Sequence, residues 1–164
     1  MILSRLVLAA MLAAIAACAT PPAPSAGPEY FVTRHLQKAT GEDPGLTEQG
    51  RACAAMLSQR LAGERIGAIY SSRARRAQET AAPLAALLGI APILYDPADT
   101  PGLIARLRGE RGAVLVVGHS NTVPDIVAGL GGERPAPIAD DRYGDLWSVS
   151  GSPARTVQNR LQRC

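Results

Sequence analysis

The stretch Ala113-Val114-Leu115-Val116-Val117-Gly118-His119-Ser120-Asn121 decides the fold class. Five apolar residues follow one another without alternation, the pattern of a strand covered on both faces at the centre of a parallel sheet. Upstream of it, short β-favouring runs at 30–32, 66–70 and 92–95 alternate with helical spacing at 46–61, 74–88 and 102–108. Thr47 is placed to cap the first of these helices, Pro83 to bend the second and Gly89 to stop it. Downstream, a helix is expected over 123–130, ended by Gly131-Gly132. Strands at 145–150 and 155–161 then follow, joined by a hairpin at Gly151-Ser152-Pro153. The alternation predicts an α/β domain with three layers: a mainly parallel central sheet with helices on both faces.

In open α/β sheets, ligands bind beyond the carboxyl ends of the strands. Three strands here end in polar residues that a core does not need: Thr33-Arg34-His35, Ser71-Ser72-Arg73-Ala74-Arg75-Arg76, and Gly118-His119-Ser120-Asn121. If those strands are parallel, Arg34, His35, Arg76 and His119 share one edge of the sheet. Two imidazoles among guanidiniums suit a strongly anionic ligand, and phosphate fits best because each Arg can donate paired hydrogen bonds to its oxygens. Backbone N–H groups at the start of the helix after His119 are candidates to add to that pocket. Gly118-His119-Ser120 is not a serine nucleophile elbow, because Asn121-Thr122 breaks the Gly-x-Ser-x-Gly pattern. With two His in the chain and no His/Cys cluster at ligand spacing, no metal site is expected.

Thr33-Arg34-His35 followed by Gly45-Leu46-Thr47-Glu48-Gln49-Gly50 resembles the first motif of the histidine phosphatase (phosphoglycerate mutase-like) superfamily, an Arg-His pair before a Leu-Thr-x-x-Gly helix entry. Ser72-x-x-x-Arg76-Ala77-x-x-Thr80-Ala81 is similar to its second motif, and Val116-Val117-Gly118-His119-Ser120-Asn121 to its third. The resemblance covers about residues 29–150. It implies a phosphoglycerate mutase-like fold and a phosphomonoesterase that needs no cofactor and no metal. His35 would be the nucleophile that becomes phosphohistidine, its other ring nitrogen donating to a backbone carbonyl. Arg34, Arg76 and His119 would hold the phosphoryl oxygens, with Ser120 also binding substrate. The family's general acid matches least well here. Asp99, by its spacing from Arg76, is the expected acid, with Asp96 the alternative; both also read as turn residues beside Pro97. Without an acid, substrates with good leaving groups are favoured, so a phosphohistidine phosphatase is a second reading. A non-catalytic phosphate- or anion-binding lipoprotein is a third, and the retained nucleophile speaks against it. The expected substrate is a phosphorylated small molecule or a phosphoprotein. Segments 36–45, 96–102 and 133–145 are where specificity would reside.

The N-terminus reads as an address. Arg5 precedes an uncharged apolar run from Leu6 to Ala17, shorter than a membrane span. Ile15-Ala16-Ala17-Cys18 resembles a bacterial lipobox, which implies acylation of Cys18 and a lipid anchor in the membrane; a non-lipoprotein secretory signal cut at the small-x-small site Ala17-Cys18-Ala19 is the alternative. With Ala at position 19, the resemblance points to the periplasmic side of the outer membrane. The domain plan is therefore 1–18 signal and lipobox cysteine, 19–28 a Pro/Ala-rich linker, and 29–164 the folded domain. A net charge of +3 is too small to imply a polyanionic partner, and 4% aromatic residues offer few stacking surfaces; nucleic acid is not expected. An oxidising compartment permits a disulfide between Cys53 and Cys164; a buried Cys53 with a free Cys164 fits the sequence as well.

Overall fold

The computed structural model describes residues 28–164. The expected signal, Cys18 and nearly all of the linker lie outside the described residues. The elements are β1 (Glu29–Arg34), α1 (Glu48–Leu61), β2 (Ile66–Ser72), α2 (Arg75–Leu88), β3 (Ile93–Tyr95), α3 (Thr100–Arg108), β4 (Ala113–Gly118), α4 (Val123–Gly129), β5 (Asp145–Ser150) and β6 (Arg155–Arg160). They form one sheet in the order β3-β2-β4-β1-β5-β6. β1 to β4 run parallel, and β5 and β6 close one side in antiparallel fashion.

The unbroken apolar run is the reason β4 lies inside the sheet: Val114, Leu115, Val116 and Val117 are fully buried. Side chains alternate across a strand, so successive residues feed two cores. Phe31, Leu115 and Val117 pack with Leu57 and Leu61 of α1 and with Ala77, Ala81 and Leu84 of α2. Tyr30, Val32, Val114 and Val116 pack on the other face with Leu103 and Leu107 of α3 and Val123 and Ile126 of α4. Each fully buried Val or Leu contributes about 1.5–3 kcal/mol, so these two apolar layers carry the fold. A register shift in β2 between Ile66 and Ala68 lets Ile66 and Ile69, three apart, share the α1–α2 face.

Local signals set the helix ends. Thr47 Oγ1 accepts from Gly50 N at 3.0 Å and caps α1. Gly89, at φ 67°, ends α2 in the left-handed conformation that glycine tolerates. α1 and α2 cover one face and α3 and α4 the other. The helix leaving β1 and the helix leaving β4 therefore lie on opposite faces, and a crevice opens between these neighbouring strands at their carboxyl ends. Cys53 in α1 is disulfide-bonded to Cys164, which fixes the C-terminus against α1. Among the described residues no helix is long and apolar enough to cross a membrane.

Candidate active site

The crevice is where the two histidines meet. β1 ends in Arg34-His35, and His35 N donates to Gly118 O at 2.9 Å, extending the β1–β4 ladder by one residue. His119 follows Gly118, and the two imidazole centroids lie 5.4 Å apart, edge to face. The His35 side chain is buried, and its Nδ1 lies 2.8 Å from Leu36 O. A carbonyl only accepts, so Nδ1 carries the proton and Nε2 is the basic nitrogen. A bond from this ring nitrogen to a backbone carbonyl is what the family resemblance implies. Burial is the main cause that pushes His35 down from 6.5 to about 3; the positive charges of Arg34 and Arg76 add to it, and the bond to Leu36 opposes it. His119 falls to about 4, again chiefly by burial, then by Arg76 and Arg34. Both rings are neutral at pH 7. His119 Nε2 is 2.8 Å from Ser72 Oγ at the end of β2.

The two guanidiniums flank this pair. Arg34 is buried; its Nη1 donates to Ala139 O (2.8 Å) and Arg142 O (3.0 Å), and its plane lies over the Tyr143 ring at 4.4 Å. Arg76, in the first turn of α2, has Nη1 3.6 Å from an Asp43 carboxylate oxygen. On both residues Nε is buried without a partner. Buried donors are nearly always satisfied, so two orphans beside two neutral imidazoles describe a cradle for an anion.

The surrounding motif residues hold this arrangement. Thr80 Oγ1 accepts from Leu36 N (3.0 Å) and donates to Arg76 O (2.8 Å), tying the segment after His35 to the helix that carries Arg76. The Glu79 carboxylate accepts from Leu46 N at 2.6 Å and from Arg75 Nε at 2.7 Å, which lowers its pKa. Gly50 lets α1 approach the same segment: a Cβ there would lie 2.2 Å from Gln37 O. Gln37 Nε2 in turn donates to Cys164 O at 2.7 Å, while Lys38 is exposed.

The structure brings Arg34, His35, Arg76 and His119 together, and it separates the two acid candidates. Asp99, the expected acid, is the N-cap of α3, its Oδ1 accepting from Gly102 N at 2.9 Å. It is Asp96 that lines a cavity of about 520 Å³ with His119 and Arg76. Ser120 is half-buried in the turn after His119. α4 begins at Val123, and His119 O accepts from Val123 N to close the entry. Sequence reasoning missed Tyr143, whose ring centroid is 6.0 Å from that of His35. A tyrosine in a loop of a chain with 4% aromatic residues was the one available signal. Asp140 and Asp145, whose directions the sequence leaves open, differ in setting. The exposed Asp140 is 3.8 Å from Arg34 Nη2, and Asp145 is buried and paired with Arg142 at 2.5 Å. Among the described residues no group of three or more His, Cys, Asp or Glu is disposed to hold a metal ion.

Solved structures share this fold. A mycobacterial glucosyl-3-phosphoglycerate phosphatase, Rv2419c, superposes with a TM-score of 0.64 at 16% identity, covering 81% of this chain and 97% of its own. The protein histidine phosphatase SixA gives 0.60 at 20% identity, covering 80% and 94%. A phosphoserine phosphatase from Entamoeba histolytica gives 0.61 at 16%, covering 82% and 98%. At such identities the likeness is one of fold. No curated protein matches the sequence. The family model of the histidine phosphatase superfamily (branch 1) matches residues 31–98, from β1 through the turn after β3, and so includes His35 and Arg76. Over residues 31–98 the chain is therefore similar in sequence to the histidine phosphatase superfamily, and over the described domain it shares the fold of solved histidine phosphatases, with His119 directly after β4.

Proposed function

We propose that the protein is a phosphomonoesterase that transfers the phosphoryl group to His35 and then to water. The observation that carries this reading is the neutral His35, its Nδ1 held by Leu36 O, beside His119 and the unpartnered Nε groups of Arg34 and Arg76. His35 Nε2 attacks phosphorus in line, and the bond from phosphorus to the leaving oxygen breaks. Arg34, Arg76 and His119 hold the equatorial oxygens, and Ser120, next to His119 in the turn, is assigned to bind substrate with them. They supply the positive charge that a loose phosphoryl-transfer transition state needs. Asp96, in the wall of the adjoining cavity, is the group we assign to protonate the leaving oxygen. In the second step it accepts a proton from the water that displaces His35, and the phosphorus–nitrogen bond breaks to release phosphate.

That relatives of the same fold are phosphatases of a sugar phosphoglycerate, of phosphohistidine in protein and of phosphoserine supports hydrolysis as the reaction. We also propose that Cys18 is acylated and that the domain works in the cell envelope, on the periplasmic side of the outer membrane. The disulfide between Cys53 and Cys164 is consistent with export, since disulfides persist in oxidising compartments. Loss of palmitate labelling in Cys18→Ser tests the anchor.

The test of the reaction is p-nitrophenyl phosphate hydrolysis by the full-length protein in detergent, with EDTA present, beside His35→Ala. The expected result is turnover that EDTA leaves intact and that His35→Ala loses by at least about a thousandfold, as removal of a covalent nucleophile does. Phosphate binding by folded protein without any turnover would instead indicate a phosphate-binding module.

A further inference from the structure

The cavity beside His119 is larger than a phosphoryl group requires and carries more positive charge than the reaction uses. About 520 Å³ falls within the range of small-molecule sites. Three guanidiniums line it, Arg73, Arg76 and Arg106, against one carboxylate, Asp96. Arg76 belongs to the reaction centre. Arg73 comes from the turn between β2 and α2, and Arg106 from the last turn of α3. Two separate elements thus bring charge to one space.

Arg60, Arg75, Arg134 and Arg142 each pair with a carboxylate. Arg73 and Arg106 have no ion-pair partner among the described residues; Arg106 has only the Tyr70 ring, 5.9 Å from its central carbon. Converging like charges repel, and an anion between them removes that cost. Leu94 and Pro97 supply apolar wall for a carbon skeleton. We propose that this cavity receives the leaving group of the substrate, and that the leaving group carries a second anionic group held by Arg73 and Arg106. The inference rests on the phosphatase reading of the preceding section and narrows its substrates to acidic phosphomonoesters.

Two probes matched in size separate charge from shape: 4-carboxyphenyl phosphate and 4-carbamoylphenyl phosphate, of which the carbamoyl ester has the better leaving group, so leaving-group chemistry alone runs against the expected preference. The full-length wild-type protein is expected to favour the carboxylate in kcat/KM by about tenfold or more, the effect of one charge-assisted contact. The preference should lie mainly in KM. In Arg73→Gln/Arg106→Gln the ratio between the two probes is expected to fall towards one. Because the readout is a ratio within one protein, a partly unfolded variant does not imitate the result. Turnover of p-nitrophenyl phosphate with a wild-type ratio near one would overturn the subsite while leaving the phosphatase reading intact. If wild-type protein turns over none of these esters, that reading fails, and equilibrium binding of the two probes by calorimetry decides the subsite. A preference for the carboxylate that the double variant abolishes upholds it; equal affinities overturn it.

Discussion

The protonation of two imidazoles governs how this site behaves with pH. His35 and His119 lie at about 3 and about 4 in the folded chain, below the ordinary 6.5. As pH falls below about 6.5, the unfolded chain takes up protons that the folded chain refuses. The stability linked to the two residues is therefore complete above that pH and is lost as pH drops through 4 towards 3. Melting temperatures should fall across this window and fall less in His119→Asn; a wild-type curve of the same shape as the variant's would count against burial of neutral rings. Thr80 offers a second reading at this scale. Thr80→Val leaves Leu36 N–H buried without its acceptor, a loss of about 1–3 kcal/mol in denaturant unfolding. Since that bond holds the residue next to His35, kcat is also expected to drop by about tenfold or more. The two aspartates separate cleanly: Asp96→Asn should slow hydrolysis of alkyl phosphates by about a hundredfold or more while affecting p-nitrophenyl phosphate far less. Asp99→Ala should cost about 1 kcal/mol of stability through the lost cap of α3 and spare the chemistry.

Elements were legible in the sequence wherever their signal is local. The apolar run of β4, the cap at Thr47 and the stop at Gly89 each act within a few residues, and each is found where the sequence predicts it. The strand ends extend that reading: the sheet order sets β1 beside β4, which is why Arg34-His35 and Gly118-His119 meet. What was not legible depends on tertiary placement. Asp96 and Asp99 are three residues apart in similar turn sequence, and only the path of α3 decides which lines the cavity and which caps a helix. Tyr143 reaches the site because β5 pairs with β1, a long-range event with no local mark. Gly50 shows a motif residue acting through element packing. Gly50→Ala drives a methyl group into Gln37 O, so α1 must move away from the segment after His35. A destabilisation of about 1–3 kcal/mol is expected from such overpacking, read as a lower urea midpoint.

At the scale of the whole molecule, the disulfide joins the C-terminus to α1 across a sequence separation of 111 residues. The sequence could not decide this pairing, because Cys164 is brought to Cys53 by β5, β6 and the Leu161 N to Gly144 O bond. Closing so long a loop stabilises the fold by up to about 4–5 kcal/mol in the chain-entropy account. Cys164→Ser and reduced wild-type protein are expected to unfold at similarly lowered urea concentrations. The same closure holds Gln37 through Cys164 O, which links the terminus to the segment following the nucleophile.

The central claim is that phosphate passes through His35. The direct measurement is rapid quenching of the full-length enzyme in alkali during turnover of a phosphomonoester, followed by peptide mass spectrometry. Phosphate carried on His35, stable in alkali, lost in acid and absent when Asn replaces the residue, is the predicted result. Full turnover with no phosphorylated histidine, and retained activity in His35→Asn, would contradict it.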